Sequence, residues 1–224
     1  MSAQPRTARG TRTKEAIVRA AETVFAELGY NDASIVRITD AAGVGQGTFY
    51  LYFASKLEVF NEVVEDLNRR VRHAMTSAAV AADTRAASER AGFRAFFEFT
   101  AQHPALYRII RQAEFVSPGA MRMHYTRIVA GYIHGLTEAR GRGEVGDIDP
   151  AVAAWSLMGI GEMIGMRWVL WGDDAASPGA DDDPYASGTR EIPDEVFEQM
   201  MRFIEGGLGT RDNSAGTHTE GALS

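Results

Sequence analysis

Within eleven residues, Gln46 to Lys56, stand five side chains whose chemistry suits a nucleic acid. The Gln46 carboxamide can pair with adenine N6 and N7, and Thr48 offers a hydroxyl and a methyl to a base or a phosphate. Gly47 between them lets backbone come close to another molecule. Tyr50 and Tyr52 carry hydroxyls suited to phosphate oxygens. Lys56 falls in the first turn of a helix, where free N–H groups and the helix dipole already favour an anion, and reads as a phosphate clamp. Lysine is scarce, occurring only here and at Lys14, with every other base an arginine. The same surface could also be a helical hairpin that meets protein, with both tyrosines partly buried.

These groups need elements to hold them. Ser34 has the oxygen of an N-cap, and Ile35, Ile38 and Ala42 recur at helical spacing after it, which predicts a short amphipathic helix. Gly43 stands where that helix would end in the left-handed conformation, and Val44 is an apolar plug in a tight turn. From Gln46, Phe49 and Phe53 are four apart and predicted to face inward, leaving Gln46, Gly47, Thr48, Tyr50 and Tyr52 outside. Ser55 and Glu58 form a capping box that opens a further helix at Lys56. Before all of these, Ile17, Ala21, Val24, Phe25 and Leu28 make a helical stripe from Thr13, closed by Gly29. Helix, short turn, helix is an arrangement that lays its second helix in the major groove.

At this point the residues carry a resemblance. Phe25-Ala26-Glu27-Leu28-Gly29-Tyr30, then Ala41-Ala42-Gly43-Val44, then Gly47-Thr48-Phe49-Tyr50-x-Tyr52-Phe53-x-Ser55-Lys56 resemble the DNA-binding domain of TetR-family transcriptional regulators. The resemblance spans about Thr13 to Leu67. It departs from the family at Gly45, usually a serine, and at Val36, where an arginine is common. Arg37 stands one place later, and whether it takes the displaced arginine's role stays open. The family implies DNA-binding roles for Ser34, Arg37, Gln46, Gly47, Thr48, Tyr50, Tyr52 and Lys56, on a double-stranded operator with symmetric half-sites.

The chain has 224 residues, 45% of them apolar, and a formal charge of −7. That sign is unexpected for a DNA partner, but it is unevenly spread. From Asp173 onward there are twelve acids and three bases, so the preceding 172 residues hold a net +2, and Met1 to Lys14 has four bases and no acid. A basic arm over 1–12 and a remote acidic surface fit a phosphate-facing amino end; an untethered solvated tail is the alternative. No cysteine occurs, which removes disulfides, thiolate catalysis and Cys-type zinc sites. With no apolar run of 18 residues and no signal-like leader, no membrane partner is expected and a cytoplasmic location is.

Beyond Ser55 everything reads as helix. The fold class is therefore all-α: a three-helix helix-turn-helix DNA-binding domain over 13–56 and a helical ligand-binding and dimerisation domain over 57–209. Within it, 173–190 reads as a mobile acidic loop, and 210–224 as a disordered tail. Helices are predicted over Ala91 to Gln102, Ala105 to Phe115, Ala120 to Arg140, Pro150 to Trp171 and Pro193 to about Leu208. The resemblance implies a homodimer through 150–172 and 193–208, with Gly161 and Gly165 allowing a helix to pack close and Met200, Met201, Phe203 and Ile204 too many to bury in one chain. Candidate effector contacts are Phe96, Phe97, Tyr107, Arg111, Phe115, Tyr125, Trp155, Met158 and Met163. Arg108, Arg111, Gln112, Arg122, His124 and Arg127 cluster near the break at Phe115 to Met121. With the aromatics they suit an acidic head on a greasy tail, and that stretch resembles the acyl-CoA-responsive members of the family. Arginines as solvated helix faces remain the plain alternative. No catalytic residue, metal set or cofactor site is assigned: the five histidines make no H-E-x-x-H, and the glycines from Gly159 follow no strand. The function expected is a ligand-responsive DNA-binding transcriptional regulator, a repressor released by a small hydrophobic effector, with an acyl-CoA thioester among the candidates. A sequestering protein that no longer reads DNA is the alternative.

Overall fold

The computed structural model describes residues 7–171 and 191–209. Among them the secondary structure is helical, without a strand. In chain order the helices are α1 (Ala8–Asp32), α2 (Ile35–Ala42), α3 (Gln46–Tyr50), α4 (Lys56–Ala79), α5 (Arg85–Gln102), α6 (Ala105–Val116), α7 (Pro118–Gly141), α8 (Pro150–Gly165) and α9 (Asp194–Leu208), with a π-helical turn, Met166–Leu170, continuing α8. The expected acidic loop and tail, and the first half of the expected arm, lie outside the described residues. The second half does not: Thr7 caps α1 through its hydroxyl, so Arg9 and Arg12 ride on a helix rather than a free arm.

The amino-terminal unit forms because its apolar spacing leaves one inward side per helix. Ile17, Phe25, Ile38, Phe49, Phe53 and Phe60 are all essentially inaccessible. Phe25, Tyr30 and Phe60 lie with ring centroids 5.1–5.7 Å apart. α3 has five residues, far too few to persist alone. It exists because Phe49 and Phe53 anchor it to this core, and Phe49→Ala would cost about 3–5 kcal/mol.

Turns and caps then fix direction. α1 breaks at Gly29 (φ 77, ψ 164), a conformation only glycine adopts easily, and this sends the chain sideways towards α2. Ser34 Oγ accepts the Arg37 N–H at 3.2 Å, and Gly43 (φ 66, ψ 32) closes α2 in the left-handed region, both as its sequence predicts. Ser55 caps α4 by accepting from the Glu58 N–H, while the Glu58 carboxylate reaches Ala54 N rather than Ser55 N.

α4 is shared by both halves. It packs on α1 at its start and on α5, α6 and α7 further along. α7 lies against α8, and α9 leans on α5 through Phe97–Phe197 and through Arg90, whose guanidinium pairs with Glu198 and Glu205 at 2.8 Å. Gly161 and Gly165 correct the sequence reading. A Cβ at Gly161 would press on Phe93, and one at Gly165 would collide with the Tyr107 hydroxyl, so both serve packing within the chain and not between chains. Likewise Met200, Met201 and Ile204 are buried in one chain, and of the four only Phe203, 72% exposed, faces out.

Candidate nucleic-acid interface and effector cavity

The exposed end of the amino-terminal unit carries Arg37, Gln46, Gly47 and Tyr50, the last 55% exposed, with Thr48 half-buried beside them. Ser34 spends its hydroxyl on the α2 cap. Gly45 and Gly47 have no atom within 4 Å of where a Cβ would stand, so neither is demanded by packing and both leave room on the outer face. Tyr52 is half-buried and packs against the core, which withdraws its ring from the row of exposed groups. Leu51 and Val36, not singled out from sequence, also stand exposed here, at a surface where a lone apolar side chain can meet a thymine methyl.

Lys56 departs from the expectation. Its Nζ donates to the carbonyls of Tyr30, Asn31 and Ala33 at 2.7, 3.2 and 2.8 Å, and lies 4.4 Å from the centroid of the Tyr30 ring. An ammonium has three donors, and all three are spent on the carbonyls that the Gly29 break leaves without helical partners. Lys56 is thus a strut between α4 and the α1–α2 junction, not a phosphate clamp. Lys14 is also engaged, with Glu62 at 2.7 Å.

The same junction is held from the carboxy-terminal side. Gln112 on α6 accepts the Tyr30 N–H at 2.7 Å and donates to Phe25 O at 3.4 Å, and Arg108 donates to Ala26 O at 3.1 Å. The sequence marked both as polar interruptions of an apolar helix; their partners are α1, not a ligand. Arg127 pairs with Glu65 at 2.7 Å, and Arg111 lies with Nη1 3.0 Å from Met166 Sδ.

Inside the second half, Phe96, Tyr107, Tyr125 and Met158 line a cavity of about 20 Å³ together with His124 and Glu162. Phe96 and Met158 also line an adjoining cavity of about 10 Å³ against Phe93 and Tyr132. Each has room for about one water. Phe97 is buried but lines neither, and Arg111 lines neither as well. Phe115 (85% exposed), Trp155 (50%) and Met163 (57%) point to the outside and are removed from the expected lining. Met163 instead borders an open apolar groove of about 800 Å³ between α8 and α9, with Ile160, Trp168, Val196 and Phe203. A larger cleft between α1 and α4 is lined by paired charges such as Lys14, Glu62, Glu22 and Arg70 and offers little to an apolar molecule.

The polar groups of the cavity are ordered by hydrogen bonds. Asn68, fully buried on α4 and missed from sequence although it interrupts the stripe Val64, Leu67 and Val71, has Nδ2 3.0 Å from His124 O and 3.2 Å from His124 Nδ1. An amide N–H can only donate, so Nδ1 accepts and the ring proton sits on Nε2. Burial lowers the His124 pKa to about 4 and keeps the ring neutral. The Tyr125 hydroxyl donates to Glu162 Oε1 at 2.8 Å, and burial followed by the Glu162 charge raises the pKa of Tyr125. Among the described residues no group of three histidine, aspartate or glutamate side chains could hold a metal, and no helix is long and apolar enough to cross a membrane.

Residues 17–63 match the family model for bacterial regulatory proteins of the tetR family. That stretch runs from the core of α1 through α3 to the first turns of α4. Over that stretch the amino-terminal unit is similar to the TetR family. Over 57 residues the chain is 40% identical to the HTH-type transcriptional repressor BepR of Brucella suis, covering 25% of this chain and 27% of that protein. It is 35% identical over 102 residues to the HTH-type transcriptional activator FasR of Mycolicibacterium smegmatis, covering 44% and 45%. The match thus spans less than half the length of either relative. Over the whole fold it is similar to the fatty acid degradation regulator FadR from Bacillus halodurans, with a TM-score of 0.71 at 21% identity, covering 93% of this chain and 100% of that one. The two are alike in fold.

Proposed function

We propose that this chain is a homodimeric, ligand-responsive transcriptional regulator of the TetR type, acting in the cytoplasm as a repressor that a small hydrophobic effector releases from DNA. The observation that carries the reading is the double hold on the α1–α2 junction: Lys56 grips it from α4 while Gln112 and Arg108 grip it from α6, a helix that also lines the internal cavity through Leu106, Tyr107 and Ile110. A molecule that forces the cavity open must move α6, and the DNA-facing helices are tied to it. Because an effector shifts the balance only by its differential affinity, it must prefer the form whose recognition helices no longer fit the operator.

Gln46 and Arg37 are the base-reading candidates, with Gly47, Thr48 and Tyr50 beside them; Ser34, Tyr52 and Lys56 support them from behind. The unit 13–56, enlarged by Ala8–Arg12, is the DNA-binding part, and 57–209 the effector and dimerisation part. Dimerisation is supported by the outward stripe Val152, Trp155, Gly159 and Met163 on α8 beside Phe203 on α9, a large apolar area for one chain to leave open. Two-fold symmetry then implies symmetric half-sites. The relative named FasR is an activator and BepR a repressor, so the sense of control rests on the release argument alone. A fatty chain in the effector is supported by the likeness to the fatty acid degradation regulator FadR, which says nothing of its head group.

The test is a mobility shift with the promoter fragment nearest the chain's own coding sequence, at low and moderate salt, for the wild type and Gln46→Ala. A sequence-specific complex that Gln46→Ala weakens by about 1–3 kcal/mol supports the reading. Absence of any specific complex at low salt moves the assignment to a sequestering protein.

A further inference from the structure

Three features compete as a second source of information: the α8–α9 groove, the buried Arg85–Glu89 pair under Tyr132, and the polar wall of the α5–α8 cavity. The groove is the dimer face already described. The Arg85–Glu89 pair is matched within itself, and Arg85 N–H and Glu144 tie it to α7's end. The cavity wall says more, because its carboxylate, Glu162, makes no ion pair among the described residues.

Glu162 stands on α8 between Gly161 and Gly165, the two residues whose missing side chains let Phe93 and Tyr107 press on the helix. Its carboxylate accepts one hydrogen bond, from Tyr125, and its backbone carbonyl accepts a long one from Tyr107 at 3.4 Å. No lysine or arginine among the described residues makes an ion pair with it. Arg111 is the cation in reach of this wall, and its guanidinium is turned to Met166 Sδ; at the Tyr125 hydroxyl the Glu162 charge acts more strongly than that of Arg111, and Glu114 adds to it. His124 stays neutral, held by Asn68 with its proton on Nε2, while Asn68 Oδ1 is buried without a partner. Of the arginines that the sequence sets aside for an acidic head, Arg108 reaches Ala26 O, Arg127 pairs with Glu65 and Arg122 is exposed. A carboxylate or phosphate entering here would meet the Glu162 carboxylate, an acceptor with no hydrogen to give it.

We propose that the α5–α8 cavity selects an apolar ligand with a cationic, hydrogen-bond-donating head, an aliphatic or aromatic amine, seated on Glu162 with its body between Phe96, Met158 and Ile110. This rests on the reading of that cavity as the effector site. Charge-assisted bonds are roughly twice as strong as neutral ones, and an ammonium can take the free oxygen of Glu162 without displacing Tyr125. The two small cavities share Phe96 and Met158 and hold about one water each, so the ligand's body enters by parting the helices around them.

The experiment titrates the full chain by calorimetry with dodecylamine, dodecanol and dodecanoate, each below its micelle-forming concentration, and repeats the series on Glu162→Gln. Dodecylamine should bind at least about tenfold more tightly than dodecanoate, with dodecanol between, and Glu162→Gln should bring amine and carboxylate to within about threefold of each other. If Glu162→Gln does not fold, Tyr125→Phe replaces it: the carboxylate remains, and the preference for the amine must persist. Dodecanoate, or its CoA thioester, binding as tightly as the amine overturns the proposal. So does an amine preference that survives Glu162→Gln, or no binding of any probe. Release of DNA is read separately. An amine that binds through Glu162 but leaves the DNA complex intact sinks the regulatory reading and keeps the site, while release by dodecanoate alone does the reverse.

Discussion

Lys56 separates two roles that make opposite predictions. As a strut it stabilises the fold: three hydrogen bonds from one ammonium hold carbonyls at the end of α1, two of them in partly buried surroundings and one exposed. Bonds to charged groups contribute about 1.5–3 kcal/mol each when buried. Water can replace the exposed one and part of the others, so the net loss in Lys56→Met is on the order of 2–3 kcal/mol. The contact with the Tyr30 ring adds about 0.5–1 kcal/mol. In a protein of this size each kcal/mol lowers Tm by about 2–4 °C, so a total loss of about 2.5–4 kcal/mol should lower the melting temperature by roughly 5–16 °C. Its logarithmic dependence of DNA affinity on salt should remain nearly parallel to that of the wild type. As a phosphate clamp the same residue would leave Tm in place and reduce the salt slope by about 0.9 for each phosphate lost. Scanning calorimetry and salt-titrated anisotropy on one preparation decide between them. A melting temperature within about 1 °C of wild type with a slope shallower by about one per subunit refutes the strut.

His124 should make stability depend on pH in a defined window. Its folded pKa of about 4 is below the unfolded value, so the unfolded chain binds more protons between about 4 and 6.5; stability is full above that window and falls as pH drops through it, by on the order of 3 kcal/mol at the bottom. Urea titrations at pH 7.5 and pH 4.5 should therefore converge more for His124→Gln than for the wild type, and parallel losses in the two would contradict the assignment. Phe203→Asp places a charge on the outward α8–α9 stripe and should give a monomer at micromolar concentration by sedimentation, with fold retained by circular dichroism; a persisting dimer argues for another interface. Gln112→Leu leaves the Tyr30 N–H without its acceptor, and hydrogen exchange should show that amide exchanging at least about tenfold faster while the middle of α4 is unchanged. Equal protection at Tyr30 would mean that α6 does not hold the junction.

Much of the amino-terminal unit was legible because its instructions are local. Phe49 and Phe53 four apart, Ser34 and Ser55 ahead of apolar runs, and Gly43 past the last helical turn each act within a few residues, and each stands where its spacing predicts. The start of α1 was not legible, because Ala8 to Thr13 is solvated all round and shows no stripe. Periodicity also states which residues share a face, never what that face meets. It grouped Gly161 with Gly165 correctly but could not tell Phe93 and Tyr107 from a second subunit. It marked Met200, Met201, Phe203 and Ile204 as apolar, yet only the folded chain shows three covered and one left out. Long side chains are worse still. Lys56, Arg108 and Gln112 reach partners 23 to 87 residues away, and nothing in their own neighbourhood fixes those targets.

Those long reaches converge on a few atoms. Tyr30 follows the Gly29 break, its ring packs on Phe25 and Phe60, its N–H goes to Gln112 and its carbonyl to Lys56. A residue held on all sides by different helices cannot follow one of them without straining its bonds to the others, so a shift of α6 must either carry the α1–α2 junction along or break the Gln112 contact. Glycine at 29 makes the first course cheap, since no Cβ opposes rotation there. α2 starts at Ile35, five residues beyond Tyr30, and sets the position of α3 through the Gly43 turn, so a small rotation at Gly29 displaces Gln46 and Thr48 together. In a two-fold pair the displacement acts twice and in opposite senses, which changes the separation of the two recognition helices rather than the chemistry either one presents.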